Sequence, residues 1–343
     1  MDLTLDDNQT ALQDELRRFL GNELNPERRR AMATLPGGVD RQFWQQLGDM
    51  GVFSLTVPED QGGIGLGLSE AVIVFEELGR ALVPGPLAAT FLSSRCGRAG
   101  GPGTPVVGAI EFGPEHSPGG GGNDLIIENL SALDQLLVLG SDVTISDPPP
   151  GRLAGRPLDP MTPVHHVLGR DLHAGRSLGG PALAEEMRNE GSLLTSAFQV
   201  GLAQTAVDLA ANYAKSRQQF GRVIGSFQSL KHMLADAASW TEIARAGVYA
   251  AAVAVDEAAH DALIGAGPVD VPASQSALRL AIASARIVTS RSTHLATSTS
   301  IQVHGGMGYT WEVEAQLLFK RSLVLDQAFG GVGRAEQILE SML

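Results

Sequence analysis

The N-terminal part of the chain alternates apolar and polar positions with the period of an amphipathic helix. Thr4 and Asp7 have capping-box spacing before the first such stretch, and Ser69 is the predicted N-cap of the last. The apolar faces are Leu12, Leu16, Phe19 and Leu20, then Phe43, Leu47 and Met50, then Ala71, Val74, Phe75, Leu78, Ala81 and Leu82. We therefore predict a helical domain over residues 1–95.

Residues 96–180 have a different pattern, in which short apolar runs are separated by glycine, proline and other turn-forming residues. The glycine run at 119–122 is typical of a flexible turn or loop. The runs with the length and composition of strands are at 106–112, 125–129, 135–139 and 143–146. This pattern predicts a small antiparallel β-domain.

From residue 181 to residue 343 the helical period returns in longer elements. Residues 265–272, rich in glycine and proline, predict a linker inside this region. One seam alternates in steps of four and three along Leu193, Ala197, Val200, Gln204, Val207, Ala211 and Ala214. Many seam positions are small, so we expect these helices to pack closely, against one another or against another subunit.

The charge balance limits the partners of the protein. The chain has 343 residues with a net charge of -13, which disfavours nucleic acid and anionic membrane surfaces as partners. The apolar run at 246–255 is far too short to span a bilayer. The first residues are acidic and lack the pattern of a signal peptide, and the single cysteine, Cys96, is typical of a reducing compartment. We expect a cytoplasmic protein that does not insert into membranes.

The common signatures of catalytic and metal sites are missing from the sequence. The patterns GxGxxG, Walker A, HExxH and GxSxG do not occur. His165, His166 and His173 lie in a loop-rich segment without metal-ligand spacing, so we interpret them as solvated imidazoles. The sequence predicts no metal site.

A first candidate for ligand binding is the stretch 213–240, which joins two helical patterns through a turn. Arg217 offers a rigid fork of donors suited to phosphate oxygens, and Phe220 and Phe227 offer flat apolar faces. Gln228 adds an amide. Taken alone, an arginine at the end of a helix is commonly a solvated cation near the helix dipole.

A second candidate is the stretch 302–309, in which Gln302 is followed by Gly305 and Gly306. Two glycines after a helix are commonly a C-cap. Glycine also lets the backbone approach a bound group closely. Together the two stretches could bring an arginine, two amides and backbone N–H groups onto a diphosphate.

Three segments resemble the acyl-CoA dehydrogenase family. YAKSRQQFGRVIGSFQSLKHMLADAASW and QVHGGMGYTWEVEAQLLFKRS resemble the two C-terminal signatures of that family, and VPEDQGGIGLGLSEAVIVFEELGR resembles its N-terminal helical domain. The resemblance covers nearly the whole chain. It implies an α+β fold with an N-terminal helical domain (1–95), a shortened middle β-domain (96–180) and a C-terminal four-helix bundle (181–343).

The resemblance also implies FAD as cofactor, bound across a subunit interface, with the flavin on one subunit's β-domain and the diphosphate and adenosine on its neighbour's C-terminal domain. Carried over, Arg217 pairs with the diphosphate, Phe220 and Phe227 line the dinucleotide, and Gln228 hydrogen-bonds to it. The same end of the cofactor would be closed by Gln302, Val303, His304, Gly305 and Gly306. The family's flavin-side segments are not recognisable between residues 101 and 180.

The reaction of the family needs a carboxylate base, which most members carry before a Gly-Thr pair on the loop preceding the last helix. A gapless count from Gly305 puts Phe329 at that position, followed by Gly330 and Gly331. Phenylalanine cannot take up a proton. Asp326 lies three residues away and is a weaker candidate for the base.

Some relatives carry the base on the helix before the arginine signature. A gapless count from Arg217 lands beside Glu190, with Glu185 and Glu186 one turn earlier. Glu190 is therefore a possible base, although a solvated acid near the start of a helix is the favoured interpretation.

A chain that has the adenosine-side motifs but lacks the carboxylate base resembles the non-catalytic subunit of α2β2 acyl-CoA dehydrogenases. Some of these enzymes act on steroid side-chain CoA thioesters. This resemblance implies a paralogous partner subunit, an acyl-CoA substrate and an electron-transferring flavoprotein as acceptor. Two alternatives stay open. One is a self-sufficient dehydrogenase that uses Glu190, and the other is a flavin-free structural subunit.

Overall fold

The computed structural model describes residues 3–96, 103–112, 124–173, 175–263 and 271–342. Contacts along the chain define two compact units. The bundle unit contains Met1–Asn22, Leu68–Val83 and Ser192–Leu343, and the sheet unit contains Glu23–Gly67 and Pro84–Gly191. The predicted α+β class and the order of helices, small β-domain and helices are confirmed. The linear boundaries at residues 95 and 180 stay a prediction.

The helices of the chain are more numerous than the sequence pattern predicts, since the short helices α2 and α5 carry no clear periodicity. In chain order they are α1 (Asp7–Glu23), α2 (Pro26–Met32), α3 (Arg41–Asp49), α4 (Leu68–Arg80), α5 (Leu87–Ser94), α6 (Pro181–Ser216), α7 (Gln228–Leu263), α8 (Val271–His304), α9 (Ala315–Leu325) and α10 (Gly331–Glu340). No helix among the described residues is long and apolar enough to cross a membrane. The glycine run at 119–122 and most of the linker predicted at 265–272 lie outside the described residues.

The strands form two small sheets in the sheet unit and one hairpin in the bundle unit. They are β1 (Val107–Glu111), β2 (Asp124–Glu128), β3 (Gln135–Leu139), β4 (Val143–Ser146), β5 (Arg152–Leu153), β6 (Val164–Leu168), β7 (Arg176–Gly179), β8 (Gln218–Gln219) and β9 (Arg222–Val223). The order in the first sheet is β1-β3-β4-β7, and in the second it is β2-β6-β5. The prediction of a purely antiparallel domain is wrong, because β1 pairs in parallel with β3 while β2 pairs with β6 in the other sheet.

His165 corrects a second expectation about the same region. It lies on β6 between β2 and β5, is 5% exposed, and its Nδ1 accepts or donates no hydrogen bond within the described part of the chain. Burial lowers the pKa of His165, which favours the neutral ring. The interpretation as a solvated imidazole is therefore wrong for His165, while His166 and His173 are exposed.

The starts of α1 and α4 are capped by other residues than those predicted. At α1 the reciprocal capping pair is Asp6 with Gln9, whose backbone N–H donates to the Asp6 carboxylate at 2.8 Å, and not Thr4 with Asp7. At α4 the backbone N–H groups of Leu68 and Ser69 each donate to the carboxylate of Asp256 at 2.8 Å. Ser69 is thus inside the helix, and a carboxylate on α7 is the cap.

Helices α4 and α6 cross with their backbones in contact. A Cβ added to Gly79 would lie 2.0 Å from the carbonyl oxygen of Phe198, and one added to Gly201 would lie 2.0 Å from that of Glu76. Gly79, Phe198 and Gly201 lie outside the seam named from the sequence, so close packing along that seam stays a prediction. The crossing fixes the direction of α6, which ends at the candidate site.

Gly201→Ala is expected to lower the free energy of unfolding by about 1–3 kcal/mol, because the new methyl group overpacks the crossing. Gly21→Ala is the matched control, since Gly21 is in α1 and nothing lies within 4 Å of the added Cβ. It is expected to raise stability by about 0.5–1 kcal/mol, as alanine favours a helix interior. Urea denaturation of both variants measures the difference. Equal stability of Gly201→Ala and the wild type would contradict the close crossing.

Candidate functional site

The first candidate stretch folds into a tight hairpin directly after α6. Strands β8 and β9 pair with Gln219 opposite Arg222, so Phe220 and Gly221 are the two turn residues. Their φ angles are 53° and 76°, as a type I′ turn requires. The backbone of Arg217 closes the hairpin from both sides, because its N–H donates to Tyr213 at 2.9 Å and its carbonyl accepts from Ile224 at 2.8 Å.

The aromatic residues of this hairpin are arranged around an arginine. Phe220 is 89% exposed at the tip, and its ring meets that of Phe227 edge-on at 6.2 Å. The guanidinium of Arg222 lies 4.0 Å from the centre of the Phe227 ring, a cation–π distance. Arg222 has no role among the sequence-based predictions, since nothing in the spacing of the stretch indicates which arginine stacks on an aromatic ring and which stays exposed.

The second candidate stretch is the end of α8 and the turn that follows it. Gly305 has a φ of 60°, and no atom lies within 4 Å of a Cβ built on Gly305 or Gly306. Gln302 is exposed, whereas Val303 and His304 are 6% and 5% exposed. Val303 and His304 therefore lie beneath this surface and support it, while the two glycines leave open space above their backbone.

The structure brings the two stretches together into one surface. Val303 packs in a buried cluster with Ala210, Ala214 and Ile224, and the rings of Tyr213 and His304 stack at 4.3 Å with an interplanar angle of 26°. The exposed side chains of the two stretches include Arg217, Phe220, Gln228 and Gln302.

The chemistry of this surface fits a phosphate-bearing ligand. The guanidinium of Arg217 is exposed and makes no hydrogen bond or ion pair with another part of the chain that the structure describes. Amide side chains add uncharged donors, and guanidinium groups bind phosphate oxygens in a bidentate manner. The exposed phenylalanine adds a face against which a planar group can pack. The two stretches that the sequence grouped as cofactor-binding thus pack against each other, and the binding role of their residues stays a prediction.

Phe329, at the family's base position, is buried at 7% exposure and has left-handed backbone angles, φ 51° and ψ 53°. Gly330 and Gly331 follow with φ angles of 76° and 62°. Left-handed geometry is costly for a bulky residue. The loop therefore places a buried apolar side chain at the position that the gapless count assigns to the base.

Asp326, the weaker candidate for the base, is used by the packing of the same loop. Its Oδ1 accepts hydrogen bonds from the Gln199 amide at 2.8 Å and from the Ser290 hydroxyl at 2.6 Å. Arg286, fully buried, donates to Gln199 at 2.8 Å and to the carbonyl of Leu325 at 2.5 Å. These contacts fit a structural carboxylate.

Glu190, the other candidate for the base, lies in the sheet unit and is 6% exposed. Its carboxylate forms a short ion pair with Arg95, which also binds Glu186 at 2.8 Å, while Glu185 is half-buried. Burial lowers the pKa of Arg95, but Glu190 and Glu186 more than offset this, so the pKa lies above its ordinary value. The favoured interpretation of Glu190 as a solvated acid is wrong. The spacing of Glu186 and Glu190, one helical turn apart, indicates a shared face but not the arginine between them.

The fold and the site so far define a mixed helix-and-sheet protein with a surface for a phosphate-bearing ligand. The model described as Acyl-CoA dehydrogenase, C-terminal domain, matches residues 179–337, and the model described as Acyl-CoA dehydrogenase, N-terminal domain, matches residues 6–99. The acyl-CoA dehydrogenase IpdE2 of Mycolicibacterium smegmatis is 32% identical over 321 residues, which cover 91% of each chain. The chain belongs to the acyl-CoA dehydrogenase family, as its motifs predict.

Two solved structures are similar over nearly the whole chain. The ChsE4-ChsE5 complex from Mycobacterium tuberculosis matches with a TM-score of 0.82 and 22% identity, covering 99% of this chain and 98% of that chain. The Tcur3481-Tcur3483 steroid ACAD matches with a TM-score of 0.81 and 23% identity, covering 98% of each chain. At these identities the likeness establishes the acyl-CoA dehydrogenase fold.

Phe220→Gly is expected to raise the free energy of unfolding of the chain by about 1 kcal/mol, because glycine adopts a positive φ without the steric cost that phenylalanine meets. Gln219→Gly, one residue earlier on β8, is the control and is expected to lower it by about 0.5–1 kcal/mol. Chemical denaturation without ligands compares them. Destabilisation by both variants would show that the free chain needs the Phe220 ring for its own stability.

Proposed function

We propose that this chain is a subunit of an FAD-dependent acyl-CoA dehydrogenase that binds the adenosine-diphosphate side of FAD, while a paralogous subunit carries the catalytic carboxylate. One observation carries the proposal. The exposed donors around Arg217 are intact, whereas Phe329 lies at the base position. Such a chain can hold a cofactor but has no proton acceptor at that position.

The roles of the residues follow from their chemistry. Arg217 binds the diphosphate through its guanidinium fork, and Gln228 and Gln302 donate from either side. The turn at Gly305 and Gly306 admits a phosphate group close to the backbone, since no atom occupies the space above it. FAD, when bound, accepts the hydride that leaves the β-carbon of the acyl thioester.

The Phe220 side chain is better suited to contact a dinucleotide or a neighbouring subunit than to stabilise the free chain. A bulky residue with a positive φ that is 89% exposed contributes little burial to its own fold. Its ring gains contacts when a dinucleotide or a neighbouring subunit covers the hairpin. The strain at the tip of the turn is then offset in the assembly.

The proposed partner is a paralogous acyl-CoA dehydrogenase subunit in an α2β2 assembly. The names of both similar structures join two differently named chains, which supports a partner of the same family. We extend the proposal to a bulky acyl group, such as a steroid side-chain CoA thioester, because one of these structures is named a steroid ACAD. An electron-transferring flavoprotein as acceptor and a cytoplasmic setting complete the proposal.

Arg217→Ala is expected to weaken FAD binding of the co-expressed complex at least tenfold, since a charged hydrogen bond contributes about 1.5–3 kcal/mol. Arg152→Ala removes the same charge from an exposed position on β5 of the sheet unit and serves as the control. Flavin fluorescence during titration of the cofactor-free complex measures both affinities. Wild-type affinity in Arg217→Ala would remove the main support of the proposed function.

Glu190→Gln is expected to leave kcat of the complex within about twofold of the wild type, because the Arg95 guanidinium stabilises the ionised carboxylate and so opposes proton uptake. The change is expected to lower the free energy of unfolding by about 1–3 kcal/mol, because Arg95 loses one of the two carboxylates that pair with it. Glu257→Gln, an exposed glutamate on α7, should change neither quantity. A folded Glu190→Gln complex without turnover would favour the self-sufficient dehydrogenase instead.

A further inference from the structure

The glycine turn of the candidate site is held from both sides by one side chain. Tyr213 stacks its ring on His304, the residue before Gly305, at 4.3 Å and 26°. Its hydroxyl reaches the sulfur of Met307, the residue after Gly306, at 3.9 Å. The two glycines have no side chains with which to fix their own position, so the contacts on either side determine where their N–H groups lie.

His304 transmits this constraint because its own ring is fixed. Its Nδ1 is 2.7 Å from the carbonyl oxygen of Ser300, and the carbonyl can only accept, so Nδ1 carries the proton. The ring is 5% exposed and lies next to Val303 in the chain, which packs on Ile224 below the hairpin. Because the His304 ring is fixed beneath the turn, its stack with Tyr213 determines the position of the Gly305–Gly306 turn.

Tyr213 also belongs to the other half of the surface. It lies in the last turn of α6, and its carbonyl accepts the backbone N–H of Arg217 at 2.9 Å. The same residue therefore contacts the backbone from which the Arg217 side chain extends and, through its ring, the turn at Gly305.

We propose that Tyr213 is a positioning residue that sets the spacing between Arg217 and the Gly305–Gly306 turn for an adenosine-diphosphate group. The inference rests on the proposed function and adds a residue that does not touch the ligand itself. The ring stack carries the effect, and the hydroxyl contact with Met307 adds little, because a thioether is a weak acceptor.

The test compares three variants of the co-expressed complex. Tyr213→Ala removes the stack, and Tyr213→Phe keeps the stack but loses the hydroxyl. Phe319→Ala is the matched control, because Phe319 is a half-buried ring in the same unit that also contacts a histidine, His294, at 5.4 Å. Flavin titration of each cofactor-free complex gives Kd for FAD, and thermal unfolding without ligand gives the loss of stability.

The proposal expects Kd for FAD to rise at least tenfold in Tyr213→Ala and less than threefold in Tyr213→Phe. Phe319→Ala should lower the melting temperature to a similar extent with an unchanged Kd. Wild-type affinity in Tyr213→Ala, or an equal loss of affinity in Phe319→Ala, would overturn the positioning role and leave the proposed function intact. A wild-type complex that binds no FAD would overturn both.

A second measurement keeps the proposal testable if Tyr213→Ala does not fold. In the wild-type complex, the histidine ring signals are followed by NMR as ADP is added. The His304 signals should shift on saturation, and those of His294 should not. Unchanged His304 signals with ADP bound would contradict the inference.

Discussion

The packing of the end of α8 on the end of α6 is the constraint on which the candidate site depends. Arg217 and Gly305 are far apart in sequence, and their own side chains do not hold them together. The small side chains of Ala210 and Ala214 on α6 leave room for Val303 of α8, and Ile224 packs into the same buried cluster. Because alanine loses little side-chain entropy on burial, this seam is well suited to a close contact. The exposed donors above it are positioned by an apolar layer that touches no ligand.

The same surface has the features of half a site. Its charged and amide groups point away from the core, its glycine turn is open, and its most exposed aromatic residue is held in a costly backbone conformation. Groups of this kind are stable in a folded protein when they are completed by a ligand or a neighbour. The loop around Phe329, by contrast, is internally satisfied, since Asp326 and Arg286 use their hydrogen bonds within the bundle unit. Under the proposed function, holding a cofactor and doing chemistry on a substrate are separable properties of this fold.

Helical periodicity and the two long signatures are sufficient to predict the fold class and the family. What they could not supply were contacts between distant residues. The cap of α4 comes from Asp256, the parallel pairing of β1 with β3 depends on β2 joining another sheet, and Glu190 is paired by Arg95. Local patterns identify a helix or strand by its period. They do not show whether the partner of a carboxylate in the folded protein is water or a buried arginine. The sequence therefore favours a solvated carboxylate at Glu190, which the structure contradicts.

The flavin content of the purified protein tests directly whether this chain provides half of an FAD site shared with a paralogous subunit. The chain is purified alone and with its co-expressed paralogue, and bound flavin is counted per subunit from absorbance and protein mass. Half a site predicts no stoichiometric FAD in the lone chain and one FAD for each pair of unlike subunits in the complex. One FAD per copy of the lone chain, with oxidation of an acyl-CoA, would contradict the account.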